Sequence, residues 1–83
     1  MYLEIVTPDE KIFEGEVVTA TFPGIGGSFQ VLNNHAPMIS TLGSGDLRYQ
    51  EEKKKEQVIS VDGGVVEVLN NKVTVLAEKI VDN

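Results

Sequence analysis

Apolar and polar residues alternate along most of this chain. In Tyr2–Val6, Leu3 and Ile5 share one face, and Tyr2, Glu4 and Val6 share the other. Glu16–Phe22 sets Val18, Ala20 and Phe22 against Val17, Thr19 and Thr21. Ser28–Leu32 sets Phe29 and Val31 against Ser28 and Gln30, and Val58–Asp62 sets Ile59 and Val61 against Val58, Ser60 and Asp62. A period of two is that of a half-buried strand, because successive side chains of an extended chain leave by opposite faces. The segments are rich in β-branched residues, which suit a pleated surface. No segment keeps helical spacing.

Breakers separate these runs. Thr7-Pro8-Asp9-Glu10 reads as a turn, and Gly15 as a bulge or corner. Pro23-Gly24-Ile25-Gly26-Gly27 reads as a mobile loop, and Gly43-Ser44-Gly45-Asp46, Asp62-Gly63-Gly64 and Asn70-Asn71 as further turns. Lys79 to Asn83 reads as strand end or tail. Short strands spaced by turns in this way predict a sandwich or barrel.

The sharpest local signal is Val65–Leu76. Asn accepts the left-handed backbone that a two-residue type I′ turn needs at both central positions. With Asn70-Asn71 as that turn, Leu69 faces Lys72, Val68 faces Val73, Glu67 faces Thr74 and Val66 faces Val75. One face is then an all-valine core, and the face carrying Glu67 and Thr74 is wet. Leu47–Val61 predicts a second hairpin, whose tip, Glu51 to Glu56, carries three Glu and three Lys as a solvated end that deters edge pairing.

The chain has 83 residues, enough for one small domain, 1–83. A chain this short buries only roughly 60% of its unfolded surface. It has no cysteine and one histidine, which leaves no disulfide and no structural zinc set of the usual kind. Seven basic residues against 13 acidic ones give a formal charge of −6, unlike a protein that neutralises phosphates. Nucleic acid and anionic lipid are therefore not expected as direct partners. No apolar run approaches the roughly 20 residues that span a bilayer as a helix, and no secretory leader is expected at the start.

His35 is the natural candidate for acid–base chemistry. A base needs a substrate or nucleophile and a group to orient it. Its neighbours are Asn33, Asn34 and Ser40, with no paired acid, so a structural loop histidine is the expectation. The Gly-rich run at 24–27 leads into a strand rather than a helix N-terminus, which argues against a phosphate cradle. No catalytic, cofactor or metal residues are assigned. These readings point to an interaction module, with a stand-alone ligand- or protein-binding sandwich and a small His35-dependent hydrolase as the alternatives.

The run Gly27–Arg48 resembles the epsilon subunit of F-type ATP synthases. Gly27, Phe29, Val31, His35, Ala36, Pro37, Met38, Ile39, Leu42 and Gly45 fill that family's glycine, alternating apolar, His-Ala-Pro and closing glycine places. Leu3–Val17 is similar to the family's opening and Ile59–Glu78 to its later Val-rich run, so the resemblance spans nearly the whole chain and keeps its order.

The resemblance implies an antiparallel β-sandwich of about ten short strands in two sheets. It implies a non-catalytic central-stalk subunit without cofactor, peripheral at the cytoplasmic face of the bacterial cell membrane. Such a subunit bridges the gamma subunit and the c ring and couples ion-driven rotation to ATP synthesis. By motif position, Thr7, His35 and Ser40 are expected toward gamma, and Gly26, Gly27 and Ser28 toward the ring. Phe29, Val31, Ala36, Pro37 and Gly45 are expected as scaffold. The family's two-helix C-terminal region, with its inhibitory and nucleotide-sensing roles, has no counterpart in these 83 residues and is expected to be absent.

Overall fold

The computed structural model describes residues 1–81. Asp82 and Asn83, part of the expected strand end or tail, lie outside them. The seven strands are β1 (Tyr2–Val6), β2 (Lys11–Glu16), β3 (Thr19–Gly24), β4 (Gly27–Leu32), β5 (Met38–Gln50), β6 (Gln57–Leu69) and β7 (Lys72–Ala77). No helix forms among the described residues.

The strands hydrogen-bond in the single order β2-β1-β7-β6-β5-β3-β4. This corrects the expectation of two antiparallel sheets and about ten strands. One continuous ladder joins seven strands, and it is mixed, because β1 runs parallel to β7. The two long strands explain the difference. β5 and β6 have 13 residues each, and their pairing keeps one register from Met38↔Val68 to Tyr49↔Gln57. The glycine clusters at 43–46 and 62–64, expected as turns, lie inside these strands.

The ladder bends there instead of reversing. Gly63 and Gly64 adopt φ of 85° and 140°, a region L side chains avoid. A Cβ on Gly64 would sit 2.3 Å from the Leu76 carbonyl oxygen. On β5, the ladder to β3 breaks between Thr21 and Gly24, where Pro23 has no N–H to give. A Cβ on Gly45 would fall 2.9 Å from the Pro23 ring.

The bent ladder lays one half of the sheet over the other. Seven flat strands would form a ribbon about 29 Å wide and one layer thick. The Cα extents are 28 × 25 × 22 Å, too thick for that. Phe13 of β2 meets Tyr49 of β5 with ring centroids 4.3 Å apart, although these strands are not neighbours in the ladder. Such a pair adds about 0.5–1.5 kcal/mol beyond its area. Gly15 is neither bulge nor corner, since it pairs with Leu3 and its missing Cβ leaves room for the Phe13 ring. The irregularity falls instead at Ile12, between Ile5↔Phe13 and Val6↔Lys11.

Leu3, Ile5, Ala20, Phe22, Val31, Leu47, Val61, Val66, Val68, Val73 and Val75 fill the space between the layers. The alternation fails at Val17 and Val18, the reverse of expectation: Val17 is 3% exposed and Val18 45%. The chain crosses between layers there, with Val17 N–H donating to Met1 O and Val18 N–H to Gln50 O. The expected mobile loop at 23–27 is a tight turn, with Gly24 pairing Gly27 around Ile25-Gly26.

Candidate functional site

The His-Ala-Pro segment carries the chain from the end of β4 to the start of β5, across one end of the folded sheet. It is pinned from three sides. Asn71 donates from Nδ2 to Asn33 Oδ1 (2.9 Å), and its own Oδ1 accepts from Asn34 N–H (2.8 Å). The Met1 ammonium donates to Asn33 Oδ1 at 3.0 Å and to Val17 O at 3.2 Å, and lies 3.3 Å from Glu16 Oε2. Asn34 takes φ of 62°, and His35 N–H donates to Leu32 O, which closes the turn.

His35 is half-buried, with Nδ1 2.7 Å from the Ala36 carbonyl oxygen. For that contact to be a hydrogen bond, Nδ1 carries the proton and donates to the carbonyl. Among the described residues no carboxylate hydrogen-bonds the ring. Among the described residues no group of three or more His, Cys, Asp or Glu side chains is placed to hold a metal. The geometry braces a loop.

Thr7 lies at the opposite end of β1. Its hydroxyl accepts from the backbone N–H of Asp9 (3.3 Å) and Glu10 (3.2 Å), so it braces the β1–β2 turn. Ser40 pairs with Val66 near the start of β5, where β3 does not pair, and its hydroxyl lies 3.4 Å from Thr41 O. Thr7, His35 and Ser40 therefore share no cluster. β1 separates the Thr7 turn from the Asn71 end by about 15 Å of strand. Gly26, Gly27 and Ser28 are exposed at the β3–β4 turn, which Ile25 N–H ties to Thr41 O. Of the expected scaffold, Val31 is fully buried, Phe29 packs on Phe22 with centroids 5.6 Å apart, and Ala36 and Pro37 are exposed in the loop.

What the alternation had assigned to water is partly apolar. On the outward face of the β1-β7-β6-β5 part of the sheet, Val65 pairs with Thr41 on β5 and Leu76 on β7, and Leu76 pairs with Val6 on β1. Leu76 is 54% exposed, and Ile39, one step along β5, is 72% exposed. The row ends in an open depression of about 410 Å³ lined by Val6, Pro8, Val65 and Leu76, with Thr7 and Glu78 at its side. Val65 and Leu76 were the available signal: both are apolar at positions that share a face with Glu67 and Thr74.

Beside the row, β1 and β2 carry a small charged cluster. Lys11 Nζ lies 2.8 Å from Glu14 and 3.4 Å from Glu4. The Lys11 hydrogen bond holds the Glu14 carboxyl below its ordinary range, and Glu14 in turn raises Lys11. Hydrogen bonding to Glu14 raises the Tyr2 phenol, whereas burial raises that of Tyr49.

The family described as "ATP synthase, Delta/Epsilon chain, beta-sandwich domain" matches residues 1–83. The ATP synthase epsilon chain of Maridesulfovibrio salexigens is 50% identical over 78 residues, covering 94% of this chain and 54% of that protein. That of Chlorobium limicola is 40% identical, covering 94% of this chain and 89% of its own length. The chain thus spans about half the length of the first relative and most of the second. Among solved structures, a chain of the Euglena gracilis mitochondrial ATP synthase, OSCP/F1/c-ring, superposes with a TM-score of 0.88 at 26% identity, over 95% of this chain and 51% of that one. A chain of the Tetrahymena thermophila mitochondrial ATP synthase central stalk and c-ring shares the fold, with a TM-score of 0.80 at 20% identity, over 98% of this chain and 65% of that one. The long match, the His-Ala-Pro loop and the folded sheet agree: this chain belongs to the ATP synthase delta/epsilon family and carries its β-sandwich domain.

Proposed function

We propose that the protein is a non-catalytic rotor-stalk subunit of a bacterial F-type ATP synthase, joining the gamma subunit to the c ring at the cytoplasmic face of the membrane. The observation that carries this reading is the apolar row Ile39, Val65, Leu76 and Val6 on the outward face of a close-packed body. Exposed apolar rows of this kind mark protein contacts. A close-packed interior deforms little, which suits the transmission of torque. Thr7 borders the row, and Ser40 follows Ile39 on β5 with its side chain on the inner face opposite the row, beside its partner Val66; both are assigned to gamma. His35 acts on the same side by holding the loop that leads into Ile39. The Gly26-Gly27-Ser28 turn is assigned to the ring, where absent side chains let a partner approach closely.

The test is capture from solubilised membranes with the tagged chain, followed by identification of what binds. Gamma and c should co-purify, and deletion should uncouple ATP synthesis from ion flow. Leu76→Asp should weaken capture at least tenfold with the fold intact, because it places a charge in the apolar contact. Capture without gamma or c would sink the reading. His35→Ala should leave at most a mild assembly defect; loss of a hydrolytic activity of the isolated chain would favour the hydrolase alternative.

A further inference from the structure

The sheet has two edge strands, β2 and β4, and they are built differently. β2 carries Lys11, Glu14 and Glu16 along its six residues. Charges of this kind deter another strand from adding to an edge. β4, Gly27–Leu32, reads Gly-Ser-Phe-Gln-Val-Leu, with no charge and no proline. It pairs regularly with β3 from Gly24↔Gly27 to Thr19↔Leu32, with no bulge to twist it away.

Antiparallel ladders alternate hydrogen-bonded and non-hydrogen-bonded pairs. The two-residue turn makes Gly24 and Gly27 a hydrogen-bonded pair, followed by Phe22 with Phe29 and Ala20 with Val31. The N–H and C=O groups of Ser28 and Gln30 therefore point away from β3. Both residues are exposed, and neither backbone takes part in the turn and loop hydrogen bonds. Leu32 ends the strand at 53% exposure, and its carbonyl already accepts from His35 N–H.

The geometry points to self-pairing: β4 of one copy adds antiparallel to β4 of a second copy of this chain, centred on Phe29. Ser28 of each copy then exchanges both backbone hydrogen bonds with Gln30 of the other, which satisfies all the open groups of these two residues. The same register sets Leu32 opposite Gly26 of the second copy, and around Gly26 and Gly27 no atom lies within 4 Å of where a Cβ would stand. An exposed apolar side chain thus faces open space rather than a clash. A second copy is the occupant this pattern selects, because donors, acceptors and knob come from β4 and the hole from the turn that leads into it. A six-residue ribbon buries less than the ~1,200 Å² of a stable interface, so the dimer is weak. It also covers the Gly26-Gly27-Ser28 turn, so a chain in this dimer cannot offer that turn to another partner.

Sedimentation velocity on the full chain from micromolar to millimolar concentration, with amide exchange followed residue by residue, tests this. The expected result is concentration-dependent dimerisation, with protection rising at Ser28 and Gln30 and unchanged across Lys11–Glu16. Gln30→Pro removes one N–H from the free edge of each copy and should weaken the dimer about tenfold or more. Gln30→Lys keeps the N–H, adds a charge to the edge and should weaken the dimer in the same direction, which decides the matter where the proline variant does not fold. A monomer throughout, association unchanged in a folded Gln30→Pro or in Gln30→Lys, or protection rising at β2 instead would each overturn the proposal.

Discussion

Two places among the described residues put consecutive residues into positive φ, and they do opposite things. At Asn70-Asn71, with φ of 52° and 60°, the chain reverses and β6 hands over to β7. At Gly63-Gly64, with φ of 85° and 140°, the chain keeps its direction and the ladder bends. The sequence alone reads as a turn at both places. The hairpin is a local device: an Asn pair suffices, and the flanking valines find each other within a few residues. The bend is not local. Its meaning depends on what approaches Gly64 from β7 and on the long partner strand β5, which follows β6 through the bend without losing register.

This contrast is open to attack at its strongest point. Gly64→Ala should cost about 3 kcal/mol or more, because it adds backbone strain and drives a methyl into the Leu76 carbonyl. Gly63→Asn should cost clearly less, since Asn tolerates positive φ and its Cβ meets only the movable Glu78 side chain, 2.7 Å from Oε2. Urea midpoints of the two variants compare them directly. Equal losses would mean that the bend needs only flexibility, as a turn does.

At the hairpin, Asn71→Ala should cost about 2 kcal/mol. It loses the left-handed preference at φ 60° and both side-chain hydrogen bonds to the His-Ala-Pro loop. Thermal melting reports the loss, and amide exchange at Asn34 and His35 should quicken more than at Gly63. A change confined to the β6–β7 turn would show that the loop stands without Asn71.

The smallest effect is expected away from both places. The folded-state value of Glu14 is lowered by Lys11, so its contribution is present above the ordinary carboxylate range and fades as pH falls through the lowered value. Glu14→Gln should flatten slightly the loss of stability on acidification and leave neutral pH nearly unchanged, because the pair is exposed and screened. Melting curves across the acid range test the sign. A steeper acid loss in the variant would reverse it.

Much of this protein was legible from its residues. The β6–β7 register follows from four valines and two asparagines, all at the expected partners. Thr7-Pro8-Asp9-Glu10 forms its turn because the threonine hydroxyl reaches the two N–H groups beyond the proline. The Glu51–Glu56 tip also stands where its charges placed it, between Gln50 and Gln57. The apolar row was only half legible. Alternation says that Val65 and Leu76 share a face with Glu67, but not that Ile39 and Val6 join them from strands distant in sequence.

By itself, then, the sequence determined the strands, the tight turns, the facing of most side chains and the membership of a family, because all of these rest on neighbours a few residues apart. The tertiary structure decided that the glycine clusters bend rather than end strands, that one ladder serves both layers, and that Val17 rather than Val18 is buried. It also decided that Met1, Asn33 and Asn71 meet around the His-Ala-Pro loop. Each of those outcomes depends on atoms brought together from distant parts of the chain, and period and propensity carry no record of them.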